Sequence, residues 1–437
     1  MPSALRWALT RCQGTSGSSK RRNTGSRPST LGLAGGAVAG LEEASGTAAP
    51  YSSHRLGPSA GRATQGDPDD DRPRPARALR PLVEAHAHAD ATPVDHEVVA
   101  ALAEAGLYGA LVPKEVGGLE LSIEENLDII EEIAYADGST AWTYLACGTT
   151  SAFFGAWCED GFVERAFADG IPLMAGQLAP SGQATKADGG YLVNGAFQFG
   201  SGIDHAAWVG MGFIVTDGDA PAEYRMGVVP KSDVRLTGNW DVMGLRATAS
   251  YDYVADSVFV PEEASFSFAA PGSMAPLHRR GGPKYDLGIL ILTCVGHTAW
   301  AIGITRRALD EVRALAPTKH RMGSATTLAE SERFLHDLAR LEQRGRAAAG
   351  RAHEVFRRAE EAAELGTADA ALSAEVRSTT AYVTEEGAEI VRACYLMAGT
   401  TALRSGPLER AFRDIHAGTQ HAMVNPQHHV EWAKTLF

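Results

Sequence analysis

The chain has 437 residues, 44% of them hydrophobic, enough for a sizeable core and for more than one structural unit. Its formal net charge of −13 argues against a nucleic-acid or anionic-membrane partner, since either needs a basic face. Five scattered cysteines (Cys12, Cys147, Cys158, Cys294, Cys394) include no C-x-x-C, which reads as reduced thiols in a cytoplasmic protein and not as a disulfide framework or zinc site.

Residues 1–76 are rich in Ser, Gly, Arg, Thr and Pro and show no sustained periodicity, so they bury too little apolar surface to offset their chain entropy. They read as a disordered tail or as the product of a start placed too far upstream. Arg6 and Arg11 bracket only a few apolar residues, a poor fit to a secretory signal. The run from Gly32 to Gly40 lacks the spacing and the preceding strand of a nucleotide loop. Residues 77–170 form a helical domain, with apolar positions at helical spacing in Val98–Ala105 and Leu127–Ile133. Ser139 and Thr140 suit the N-cap of the helix that follows. Residues 171–277 change to strands: Ala187-Asp188-Gly189-Gly190 is a hairpin signal, and Trp208–Val215 and Tyr253–Val260 alternate as strands do. Residues 278–437 are helical again, in long stretches over Leu287–Leu315, Thr327–Glu364 and Ala370–Met397. The strongest apolar run there, Leu287 to Val295, is about half of what a membrane helix needs, so no span is expected.

Two helical blocks flanking a β block, with four phrases in order, resemble the acyl-CoA dehydrogenase superfamily over roughly residues 77–430. The phrases are Gly106–Gly118, Asp188–Gly195, Met243-Gly244-Leu245-Arg246-Ala247-Thr248 and Val258-Phe259-Val260-Pro261. The resemblance implies an α+β fold with an N-terminal helical domain, a central β-barrel-like domain and a C-terminal four-helix bundle. Its dehydrogenases need a glutamate base beside the flavin. One family position falls near Ala422 and the other near Gly288, and no Glu occurs between Glu409 and Glu431 or between Glu263 and Glu311. Histidine stands there instead, in Arg413-Asp414-Ile415-His416-Ala417-Gly418-Thr419-Gln420-His421. This resembles the R-D-x-H-x-G-x-x-H pattern of the flavin-dependent monooxygenases of this fold, which act on hydroxyphenylacetate, steroid-derived phenols, dibenzothiophene and amino sugars. Phe199-Gly200-Ser201-Gly202-Ile203-Asp204-His205 resembles the F-x-S-G-x-D-H of the phenol-hydroxylating members.

The resemblance implies reduced flavin (FMN or FAD) delivered by a separate NAD(P)H flavin reductase, dioxygen added as a C4a-hydroperoxide, a small aromatic or natural-product substrate, and a homotetramer. Ser201 is then the hydroxyl at flavin N5, and His421 the first choice for acid–base work. His416 and His421 are five residues apart, so on one regular helix they point about 140° from each other and cannot share a pocket. That spacing also argues against a metal pair. His205, beside Asp204, reads equally as a catalytic group or as half of a structural pair. Arg321 and Arg413 are placed at the flavin, Arg321 reaching a phosphate across a subunit interface, by the bidentate fit of guanidinium. Gln177 to Ser181 would follow the flavin edge through backbone groups. Trp142, Phe153 and Phe154 are candidates to line an aromatic pocket. The segment Tyr144–Ser151 carries no histidine where several hydroxylating members have one, which leaves indole, sulfur or amine oxidation open beside phenol hydroxylation. Two alternatives stand beside this: a thioester dehydrogenase with Asp286 as a displaced base, and a flavin-free binding subunit.

Overall fold

The computed structural model describes residues 74–87, 93–216, 222–268 and 277–437, so most of the expected tail and its Gly32–Gly40 run lie outside the described residues. The first helix, α1 (Arg74–His86), begins inside the stretch expected to be tail, because Ala76 and Val83 repeat at helical spacing and are buried. Two further helices, α2 (His96–Glu104) and α3 (Ile123–Ala136), lead to α4 (Gly138–Trp157) and the short α5 (Asp160–Ala166). A capping box between Ser122 and Glu125 starts α3. The cap of α4 is Asp137, two residues before the expected Ser139 and three before Thr140; its carboxylate accepts the Thr140 N–H at 2.8 Å. Nearly every residue of α4 is buried, so it runs through the middle of the fold as a helix apolar all round does.

Seven strands follow: β1 (Met174–Ala187), β2 (Gly190–Gly200), β3 (Trp208–Val215), β4 (Glu223–Pro230), β5 (Arg235–Leu236), β6 (Tyr251–Pro261) and β7 (Ser265–Ser267). They form one mixed sheet in the order β5-β6-β2-β1-β3-β4-β7, in which β1 and β3 are parallel. The hairpin expected at Ala187–Gly190 is present, with Gly189 at φ 75°. Along β1 the pairing with β2 covers only Gln183–Ala187, while β2 pairs with β6 along its whole length and β1 with β3 from Met174 on. The two strands therefore part at one end, between Gln177–Ser181 on β1 and Phe199–Gly200 on β2.

The C-terminal block comprises α6 (Gly288–Leu315), α7 (Glu332–Glu364), α8 (Ala370–Ala398), α9 (Pro407–Gly418) and α10 (Gln427–Ala433). Its central member is α6, packed against α3, α4, α8 and α9. With its lead-in turn, Pro283–Leu315 is long and apolar enough to cross a membrane, longer than the apolar run seen in sequence, but 89% of its most apolar window is buried against the protein. Charged clasps tie the layers together. Arg306 of α6 bonds Glu131 and Glu132 of α3, Arg80 of α1 also meets Glu132, and His353 of α7 sits between Glu124 and Glu131.

Candidate active site

The chain is brought back to α6 by one glycine. A Cβ at Gly418 would lie 2.2 Å from the Trp300 ring, so only glycine lets the end of α9 rest there. The helix stops at Gly418, and His421 lies beyond it as the cap of a short turn over Ala422–Val424. The argument from helical spacing therefore does not apply to the two histidines, yet they do separate. His416 stays on α9, where its Nδ1 is 2.7 Å from the Phe412 carbonyl and its ring packs on Phe412.

His421 enters a cluster of rings. Its centroid is 3.9 Å from that of His297 on α6, with the planes tilted 31°. Trp142 of α4 meets both histidines edge-on, at 4.8 Å from His297 and 5.5 Å from His421, and Trp300 at 4.9 Å. Burial pushes the His421 ring down to about 4 and His297 well below its ordinary value, the latter also by the neighbouring His421. No carboxylate acts on either ring. The Met423 N–H donates to His421 Nδ1 at 3.3 Å, so the neutral ring carries its proton on Nε2.

Ser201 closes the cluster from the β side. The turn after β2 lies on α4, and a Cβ at Gly202 (φ +75°) would fall 2.6 Å from Cys147 Sγ. Trp142 Nε1 donates to Ser201 Oγ at 3.2 Å, Ser201 and Ser250 hydroxyls are 2.7 Å apart, Ser250 and Thr248 likewise, and Thr248 donates to the Leu245 carbonyl at 2.8 Å. The last bond fixes the polarity of the row. Each hydroxyl donates toward Leu245, so Ser201 gives its proton to Ser250 and keeps one lone pair free.

The remaining expected residues are dispersed. His205 lies against His96 at 4.7 Å with its Nε2 buried and unbonded, and burial lowers it. Gln177 spans the gap between the parted strands, its Oε1 accepting the Ser181 hydroxyl at 2.9 Å and the Gln198 N–H at 3.3 Å. Arg321 stands exposed in the loop after α6. The Arg413 guanidinium binds Glu409 and the Met243 carbonyl, while the adjacent Asp414 accepts the Leu245 N–H at 2.6 Å. Burial, with Asp137 nearby, raises Asp414 to about 7. Phe153 and Phe154 belong to a separate core around Trp157, Phe266 and Tyr285, because α4 turns them away from Trp142. Asp286 is 62% exposed and paired with His278, outside the ring cluster. Sequence reading missed His297 and Trp300; the one signal was a histidine inside the apolar run Gly288–Trp300. It matched Phe199 in the phrase Phe199–His205 but gave it no role; the residue is held at φ 62° with 59% of its surface exposed beside Trp240.

Family models for the acyl-CoA dehydrogenase N-terminal and C-terminal domains match residues 76–155 and 295–426. A pigment production hydroxylase from Rhodococcus is 32% identical over 351 residues, covering 76% of this chain and 86% of its relative. An indole-3-acetate monooxygenase from Pseudomonas putida is 30% identical over 334 residues, 76% of this chain and 84% of that one. The chain belongs to the flavin-dependent monooxygenases of the acyl-CoA dehydrogenase fold. The solved 3-HSA hydroxylase from Rhodococcus superposes with a TM-score of 0.76 at 26% identity, over 83% of this chain and 96% of that one.

The residues present fit a flavin. A flat heteroaromatic edge needs a stretch of strand open on one side, and β1 over Gln177–Ser181 meets β3 but not β2. It also needs an apolar cover, which the exposed Phe199 ring offers, and a neutral acceptor for a ring N–H, which is the free lone pair of Ser201.

Proposed function

We propose that this monooxygenase is the oxygenase component of a two-component system, oxygenating a small aromatic substrate with reduced FMN or FAD supplied by a separate NAD(P)H flavin reductase. The observation that carries this reading is the ring cluster itself: two neutral imidazoles and two indoles at the position where a thioester dehydrogenase needs a carboxylate. Bound flavin would supply the electrons that activate dioxygen for transfer of one atom to the substrate. Ser201 holds the reduced ring's N–H by its free lone pair without adding charge. His421 offers its Nε2 proton as a hydrogen-bond donor beside Trp142 and His297. Arg321, exposed on its loop, suits a flavin phosphate on a neighbouring subunit. Relatives whose names specify indole-3-acetate and p-hydroxyphenylacetate support an aromatic substrate. The homotetramer is carried over from the family resemblance, and the free buried thiols among the described residues support a cytoplasmic enzyme.

The test is to mix the reduced flavin–protein complex with dioxygen and follow flavin oxidation together with hydrogen peroxide release. Wild type should delay oxidation relative to free flavin, and His421→Ala should release peroxide faster. Oxidation as fast as free flavin in the wild type, or turnover of an acyl-CoA without dioxygen, would sink the proposal.

A further inference from the structure

The ring cluster holds a polar atom that nothing in the protein satisfies. His297 is 3% exposed, and its Nδ1 makes no hydrogen bond. Leaving a buried nitrogen unpaired costs stability, and such orphans concentrate where a ligand completes the bonding. The neighbours explain why no internal partner is available. His421 has its Nδ1 occupied by the Met423 N–H and a donor only at Nε2, and its ring lies over that of His297 at 3.9 Å with the planes tilted 31°, a geometry that makes no hydrogen bond between them. Trp142 has one N–H, already given to Ser201. Thr143 is also unbonded, but its hydroxyl rotates between donor and acceptor and so selects nothing.

We propose that His297 is a specificity-determining residue whose Nδ1 accepts a hydrogen bond from an N–H or O–H on the aromatic substrate, while His421 supplies the complementary donor. This rests on the reading that the site oxygenates an aromatic molecule. Burial keeps the His297 ring neutral, and a donor arriving at the unbonded Nδ1 selects the Nε2–H tautomer, in which Nδ1 accepts. The surrounding rings give a flat substrate edge-on partners. A pocket of this kind discriminates by the bond it would lose. Indole satisfies Nδ1, whereas benzothiophene, of nearly the same shape, brings no donor and leaves the nitrogen unpaired.

The experiment is equilibrium binding of indole and benzothiophene to the full chain, in wild type, His297→Leu and His297→Gln, each with its thermal midpoint. Wild type should prefer indole by about tenfold or more. His297→Leu should lose that preference and melt higher than wild type, because the orphan nitrogen is gone; a merely structural histidine would make the variant melt lower. His297→Gln keeps an acceptor and should retain most of the preference. Equal binding of the two ligands by wild type, no binding of indole, or a preference that survives in His297→Leu would overturn the proposal. Its failure is separable from failure of the oxygenase reading, because delayed oxidation of reduced flavin needs no substrate.

Discussion

Acidification separates His421 from an ordinary surface histidine. Burial lowers this ring from 6.5 to about 4, with no charged partner to compensate. In the unfolded chain it takes up a proton near pH 6.5, whereas the folded chain resists until about pH 4. Its neutral form therefore contributes fully above pH 6.5, and the contribution is lost as pH falls through about 4. The gap, at about 1.4 kcal/mol per pH unit, amounts to about 3 kcal/mol. His421→Gln has no titrating ring but retains an acceptor for the Met423 N–H. Urea unfolding of both proteins from pH 7.5 to 4.5 should show wild type losing about 2–3 kcal/mol more than the variant. Parallel pH profiles, or a His421 ring that titrates near 6.5 by NMR, would refute the placement of this side chain among the buried rings.

Three further outcomes follow from other parts of the structure. His353, raised to about 10 by Glu124 and Glu131, contributes stability that is fully present below pH 6.5 and lost as pH rises through about 10; His353→Gln should flatten the alkaline limb of the stability profile between pH 7 and 10. Gly418→Ala places a methyl 2.2 Å from the Trp300 ring and should cost about 1–3 kcal/mol in denaturant unfolding; an unchanged midpoint would show that the end of α9 does not rest on that ring. Ser201→Ala strips Trp142 Nε1 of its acceptor and Ser250 of its donor, so it should lose about 1–3 kcal/mol and release more hydrogen peroxide per flavin oxidised, measured by peroxidase assay.

The order of blocks was legible because periodicity is a local property. The change from helical spacing before Ile171 to alternation after it, and back again, reflects which face each segment buries. The hairpin at Gly189 and the break before α4 were legible for the same reason, although the capping role fell to Asp137. Ser201 and His421 were reached by resemblance, and their mutual placement needed the fold. His297 was illegible for a physical reason: one imidazole within an apolar helix looks like a satisfied core residue until a second chain segment lays His421 against it. That segment arrives only because α9 ends at Gly418, a stop that the pattern Arg413–His421 does not announce, since Gly418 sits among residues compatible with a continuing helix. Phe153 and Phe154 show the converse, aromatic residues on the same helix as Trp142 that serve a separate core.

Oxygen-isotope labelling tests the central claim most directly. The full-length protein, given chemically reduced flavin, indole and 18-oxygen-labelled dioxygen, should form a product carrying one labelled oxygen atom, and His421→Ala should divert most of the flavin's electrons to labelled hydrogen peroxide. An oxidised product with no label, or product formed equally well without dioxygen, would contradict the account.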